Sequence, residues 1–247
     1  EYNNFALSAG VFVHNCRMRL SLYEVSPHLL GQKPALFENA LLRQTAFGMG
    51  AEWKGNRRAD HAVLDEDTWD TTRLLQSLHD NAAKQLGTSG TGNHFVEWGS
   101  FRLHEPLLGL QPGEYLALLS HSGSRRFGLE VANHYTGVAK RLHEGRLSKD
   151  MLNLAWLALD HEAGIEYWAA MELAGRYASA NHAVIHQRIT AALRAEVLGF
   201  VENHHNFAWK EIVDGSPAIV HRKGATPAGT DALGVIPGSM AAPGYIV

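Results

Sequence analysis

The chain has 247 residues, 45% of them hydrophobic, and a formal net charge of −3. Its length and apolar content suffice for a sizeable core and suit one domain, with or without a subdomain. The negative balance excludes a protein that holds long nucleic acids by bulk charge, but not one that recognises a nucleic-acid end locally. No apolar run is long enough to span a bilayer and no basic-then-apolar leader opens the sequence, so a soluble, cytoplasmic protein with no membrane partner is expected. The single cysteine, Cys16, excludes an internal disulfide, fits a reducing compartment and is free to be a metal ligand or a plain buried thiol. Fifteen histidines is a high count, and those without a motif around them (His28, His61, His79, His104, His143, His161 and His186) read as surface or structural groups.

In chain order, residues 1–15 differ from the rest. Val11, Phe12 and Val13 could form the core of an apolar hairpin. With His14, Asn15 and Cys16 behind them they also resemble the C-terminal splice junction of an intein. There the Asn15 amide attacks its own carbonyl, His14 assists by proton transfer and the Cys16 thiol is the acceptor nucleophile. We read 1–15 as an intein remnant and 16–247 as part of a catalytic domain. Residues 16–25 alternate like a strand with Met18, Leu20 and Leu22 on one face. Pro34 opens a helix carrying Leu36, Ala40, Leu41 and Leu42 on its core side and ending near Gly48 and Gly50. A polar turn at Gly55 to Arg58 is followed by an amphipathic helix over residues 71–86.

That helix feeds the stretch around which the chain is organised, Gly-Thr-Ser-Gly-Thr-Gly-Asn-His-Phe-Val-Glu-Trp at residues 87–98. Its glycines permit positive φ and close approach to an anion, although the spacing matches neither the dinucleotide nor the Walker pattern. A loop over 102–113 precedes a buried strand, residues 115–119, which delivers His121 in a Ser-His-Ser-Gly-Ser-Arg-Arg loop. Helices are expected over 126–144, 150–159 and 164–197, the last with Ile185, Ile189, Leu193 and Val197 as its core stripe. His182 and His186 share one side of it and read as surface or packing residues. Short strands at 200–201, 207–213, 218–221 and 246–247 close the chain, with turns at 222–227 and 237–240. Helices grouped in the middle with strands around them make an α+β fold.

One thiol and several imidazoles at separate strand ends suit a transition-metal site, for which ligand softness alone suggests zinc. Arg125, Arg126, Arg222 and Lys223 flank turns that are placed to receive phosphate.

The ordered set formed by Cys16, the 87–98 stretch, His121 with its Ser-Gly-Ser turn, Asn203-His204-His205-Asn206 and Pro237-Gly238-Ser239-Met240 resembles the RtcB family. That family comprises GTP-dependent ligases joining RNA 3′-phosphate or 2′,3′-cyclic phosphate ends to 5′-hydroxyl ends, in tRNA splicing and RNA repair. The resemblance implies an RtcB-like mixed fold, with central β-sheets and a helical middle section, incomplete at both ends. It implies two Mn(II) ions held by Cys16, His94, His121 and His205, with a further ligand, an aspartate three residues before the cysteine, expected in the upstream extein because intervening intein sequence puts Val13 at that spacing. Nucleotide contacts fall on Asn93, His94, Glu97, His205, Asn206, Pro237, Gly238, Ser239 and Met240, while the family's serine near Gly244 has no match. Its partners are GTP, RNA ends such as tRNA halves and, for some members, an activating protein. Its histidine nucleophile, which carries GMP, lies in a His-Gly-Ala-Gly-Arg motif expected beyond Val247, so this chain alone is expected to be inactive. Two other classes fit the same residues: a metal-dependent RNA phosphoesterase and a non-catalytic RNA-end-binding remnant.

Overall fold

The computed structural model describes residues 15–237 and 244–246. His14, Gly238, Ser239 and Met240, together with residues 1–13, lie outside the described residues. The elements run β1 (Arg17–Tyr23), α1 (Leu29–Gln32), α2 (Pro34–Gln44), β2 (Ala46–Phe47), α3 (Arg73–Gln85), β3 (Thr88–Gly90), β4 (Phe95–Leu103) and β5 (Gly113–Ser122). They continue with α4 (Arg125–Leu142), α5 (Glu162–Leu193), β6 (Val197–His204), β7 (Asn206–Val213), β8 (Ser216–Lys223), β9 (Val235–Ile236) and β10 (Tyr245–Ile246).

An antiparallel sheet ordered β4-β5-β1-β6 forms the centre. β1 lies inside it, so the strand is covered on both faces. Met18, Leu20 and Leu22 point to one side as expected and pack with Ala117, Val201 and Val235. Ser21 and Tyr23 point to the other side and are buried as well. That second face meets α2 and α5 through Tyr23, Phe37, Leu116, Leu118, Ile185 and Ile189. A helical layer of α3, α4 and α5 packs behind it around Trp69, Leu75, Phe127, Tyr135, Leu173 and Tyr177. The β7-β8 hairpin docks on α5 through Met171 and Ala208. Antiparallel sheet beside a helical layer is the mixed α and β architecture read from the sequence.

Four local expectations are corrected. In α2 the buried residues are Phe37 and Ala40, while Leu36 and Leu42 are exposed. The larger aromatic ring sets the helix rotation by packing edge-on against Trp98, with ring centroids 5.4 Å apart. His121 lies within β5, paired with Met18 and Phe95, and not in the loop that follows. Residues 150–159 do not form an α-helix: a 3₁₀ turn, Lys149–Leu154, ends where Ala155 turns extended. The long helix stops at Leu193, because Arg194 takes a left-handed conformation with φ 53° and its N–H caps the carbonyls of Thr190 and Ala191. Val197 therefore opens β6 instead of extending the helical stripe.

Candidate metal centre

Strand register assembles the site. Cys16 immediately precedes β1, and its carbonyl accepts the His205 N–H at 3.3 Å, which ties the β6-β7 corner to the start of β1. Phe95 and Met18 pair with His121 from either side, which puts His94, one residue before β4, at the same sheet end. The ligand atoms of Cys16, His94 and His121 all lie within 4.8 Å of one another. One ion with ligand bonds of about 2.0–2.3 Å nearly spans that separation. His205 borders the group, its ring centroid 4.8 Å from that of His121, without joining the three-ligand cluster.

His121 shows how the site is oriented. Its Nδ1 lies 2.8 Å from the Asn93 carbonyl, which can only accept, so Nδ1 carries the proton and Nε2 keeps its lone pair. That Nε2 is buried with no hydrogen-bond partner among the described residues. A backbone carbonyl fixing one ring nitrogen while the other faces a thiol and a second imidazole is the arrangement of a metal-ligating histidine. Burial lowers the His121 pKa, and it takes that of His205 to about 4, so both rings are neutral and able to ligate. Cys16 is half-buried, and burial pushes its thiol up to about 11, against a pull from Lys223. Metal binding here must therefore expel a thiol proton.

The remaining expected residues divide. Asn93 is exposed and acts through its carbonyl on His121. Glu97 is exposed on β4, with its carboxyl pKa raised by desolvation. Asn206 is buried, and its Oδ1 accepts from His221 Nε2 at 3.0 Å. Pro237 is exposed at the end of β9. Asn15 is buried with φ 48°, its Oδ1 without a partner among the described residues. His204 stacks on Phe207 with centroids 4.2 Å apart, and Arg17 Nη2 approaches its Nε2 at 2.6 Å. Arg125 is largely buried over the open face of Gly90, where φ is +105° and a Cβ would collide with the guanidinium. It donates to Thr88 Oγ1 at 3.0 Å and to His94 Nδ1 at 3.2 Å. Arg126 and Arg222 are paired with Glu130 and Glu211.

A buried polar layer behind the centre went unread in the sequence. Asn181 on α5 uses its full hydrogen-bonding capacity: Oδ1 accepts from Gly87 N at 2.7 Å and Thr88 N at 3.1 Å. Its Nδ2 donates to Thr88 O at 3.0 Å and Ser122 Oγ at 3.2 Å. Ser122 Oγ donates onward to Ser89 O at 2.8 Å. At the next residue, His182 Nε2 meets the Ser122 carbonyl, so it donates and Nδ1 accepts from Ser120 Oγ at 2.5 Å. Ser120 then accepts from His186 Nε2 at 2.8 Å, and His186 Nδ1 accepts from Ser21 Oγ at 2.8 Å. Every proton in this chain is placed by one terminal carbonyl, and both rings must be neutral. Burial accordingly takes His182 down to about 3 and His186 well below its ordinary value. The available signal was Asn-His inside a long apolar helix, where polar residues need buried partners.

The family model described as tRNA-splicing ligase RtcB matches residues 10–247. Similar proteins include the RNA-splicing ligase RtcB of Escherichia coli K12, 31% identical over 191 residues, covering 72% of this chain and 44% of that protein. The tRNA-splicing ligase RtcB of Pyrococcus abyssi is 25% identical over 313 residues, covering 100% of this chain and 33% of that protein. That of Nanoarchaeum equitans is 29% identical over 233 residues, covering 81% and 48%. The chain thus spans less than half the length of these relatives.

Proposed function

The chain belongs to the RtcB family, and on that premise we propose that it forms part of a GTP- and Mn(II)-dependent RNA ligase. The enzyme joins a 3′-phosphate or 2′,3′-cyclic phosphate end to a 5′-hydroxyl end, in tRNA splicing or RNA repair. The observation that supports this most is His121, with Nδ1 fixed on a carbonyl and a bare Nε2 facing the cluster with Cys16 and His94. Cys16, His94 and His121 would hold one ion, and His205, with its own bare Nδ1, would serve a second. When bound, Mn(II) neutralises charge on the transferring phosphates and GTP supplies the activating GMP. The residues of the chain bind and orient. The glycine-rich loop offers backbone N–H groups to phosphate, Asn93 aims His121, and Glu97 is the acceptor for guanine N–H donors. Asn206 and the turn from Pro237 to Met240 complete the nucleotide site.

We assign the GMP-carrying histidine to a His-Gly-Ala-Gly-Arg segment, a motif that this sequence does not contain. The histidines of residues 16–247 are thereby left with binding and structural roles. Residues 1–15 are taken as intein sequence, residues 16–247 as the catalytic section, the cytoplasm as its compartment, and RNA ends and an activating protein as partners. No helix among the described residues is long and apolar enough to cross a membrane.

Saturating Mn(II) with GTP, at about a hundred times Kd, stabilises by about 2.7 kcal/mol. For this size that raises Tm by about 5–10 °C; an unchanged Tm contradicts the reading. α-Labelled GTP with Mn(II) leaves no covalent label on residues 1–247, and a labelled band would move the nucleophile to one of these histidines. Hydrolysis of a 2′,3′-cyclic phosphate RNA without joining or GTP consumption, by the full-length protein carrying this sequence, would replace the ligase with a phosphoesterase.

A further inference from the structure

We infer that Phe47, Met49, Lys54, Arg57 and Arg188 form a docking strip for a single strand of RNA, beside the glycine-rich loop and outside the metal centre. The inference rests on the RNA-ligase reading and adds to it the path of the strand. β2 runs parallel to β3, with Phe47 opposite Gly90, and Gly48 N donates to Gly90 O at 2.8 Å. The segment after β2 therefore leaves the fold beside the loop that leads to His94. It presents Phe47 at 42% and Met49 at 91% exposure.

Trp53 follows on the same segment, buried and fixed by Nε1 donating to the Gly87 carbonyl at 3.0 Å. Two guanidiniums lie over its ring, Arg57 with Cζ 4.2 Å from the centroid and Arg188 at 4.7 Å. Arg188 is further tethered to the Arg57 carbonyl at 2.5 Å, and Arg57 to the Arg43 carbonyl. Among the described residues no carboxylate pairs with Arg43, Lys54, Arg57 or Arg188, and the nearby Asp80 is taken by Arg58 and Lys84. A chain of net charge −3 thus keeps two like charges on one indole with no carboxylate paired to them among the described residues. Burial and then the Arg57 charge lower the Arg188 pKa.

A phosphodiester set against these guanidiniums relieves their repulsion with directed hydrogen bonds. Exposed Phe47 and Met49, earlier on the same segment as Trp53 and Arg57, supply an apolar face on which bases can stack, and cations with apolar stacking groups are what single-stranded nucleic acid uses. Free phosphate would use the cations and leave the apolar pair without a role. These two features together select an RNA strand as the occupant.

The test is fluorescence anisotropy of the Mn(II)-loaded full chain with a labelled single-stranded RNA ending in a 3′-phosphate, at several salt concentrations. The exposed side chains are changed in Lys54→Glu/Arg57→Glu, which is expected to bind about tenfold more weakly. Loss of two phosphate contacts should reduce the slope of log K against log salt by about 1.4. Phe47→Ser is expected to weaken binding about fivefold with the slope unchanged. Mn(II) affinity should stay the same in all three proteins. Unaltered affinity and slope in the double variant, with firm binding by the parent, overturn the strip and leave the ligase reading standing. Equal binding by Phe47→Ser, or full displacement of the RNA by inorganic phosphate at matched ionic strength, makes it a plain anion site and overturns the inference. Absence of RNA binding by the parent overturns both.

Discussion

At His121 a single hydrogen bond does two things, because the Asn93 carbonyl both orients the ring and dictates which nitrogen keeps its lone pair. Protonation supplies a residue-scale test. With the Cys16 thiol at about 11, His205 at about 4 and His121 lowered by burial, these two rings are already neutral at neutral pH while the thiol must give up a proton. Apparent affinity for a divalent cation should therefore rise about tenfold per pH unit between about pH 6 and 8, with about one proton released per ion. Calorimetric titration in buffers of differing ionisation enthalpy measures both, and a flat affinity without proton release would rule out the thiolate. Residue type offered only one thiol and several imidazoles at strand ends; the family resemblance singled out Cys16, His94 and His121, whose ligand atoms the fold brings together. His205, expected as a ligand by the same resemblance, lies beside the cluster and not within it, a position that depends on the β6-β7 corner. The roles of Asn181 and Arg125 were not legible. Their partners are main-chain groups of the glycine loop and a ring remote in sequence, and nothing in residue type marks a carbonyl as the one to be bound.

At the scale of elements, α5 is the plate against which both ligand-bearing segments are set. Asn181 joins it to β3 and to β5 at once, so Asn181→Ala strands buried donors and acceptors on both. The cost is on the order of 3 kcal/mol in urea unfolding. Mn(II) affinity should fall as well, because the loop before His94 is released. Tyr177→Phe, which removes one bond from α5 to Ala82 O, should reduce stability without altering metal affinity. Equal metal affinity in both variants would confine Asn181 to a structural part. The histidines on the sheet and on α5 make a pH prediction of definite sign. His182 and His204 titrate near 3 when folded and near 6.5 when unfolded, so the unfolded chain takes up more protons as pH falls. Their stabilising contribution is complete above about 6.5 and lost towards 3, about 1.4 kcal/mol per pH unit for each ring. Metal-free protein should therefore lose about 2 kcal/mol per ring between pH 7 and 5, checked by urea midpoints, and a flat profile would mean these rings are solvated. Helix positions at this scale were legible from their periodicity. The buried face of α2 was not, since Phe37 and not the leucines sets its rotation, and the end of α5 turned on one left-handed residue, Arg194.

For the molecule as a whole, the α+β class followed from where helical and strand patterns cluster along the chain. The sheet order β4-β5-β1-β6 did not, because pairing β1 between strands separated from it by about 90 and 180 residues leaves no local trace. That order is nevertheless what makes the site: placing β1 between β5 and β6 brings Cys16 to His121 and His205, and β4 adds His94. A metal centre of this kind requires one cation bound through a cysteine thiolate at this sheet end. X-ray absorption at the metal edge of the protein loaded with Mn(II), or with Co(II) as a probe, measures it directly. The predicted shell has one sulfur with imidazole nitrogens, and Cys16→Ser loses the sulfur while His121→Ala loses a nitrogen. A shell of oxygen and nitrogen alone in the unaltered protein, identical in Cys16→Ser, would contradict the account.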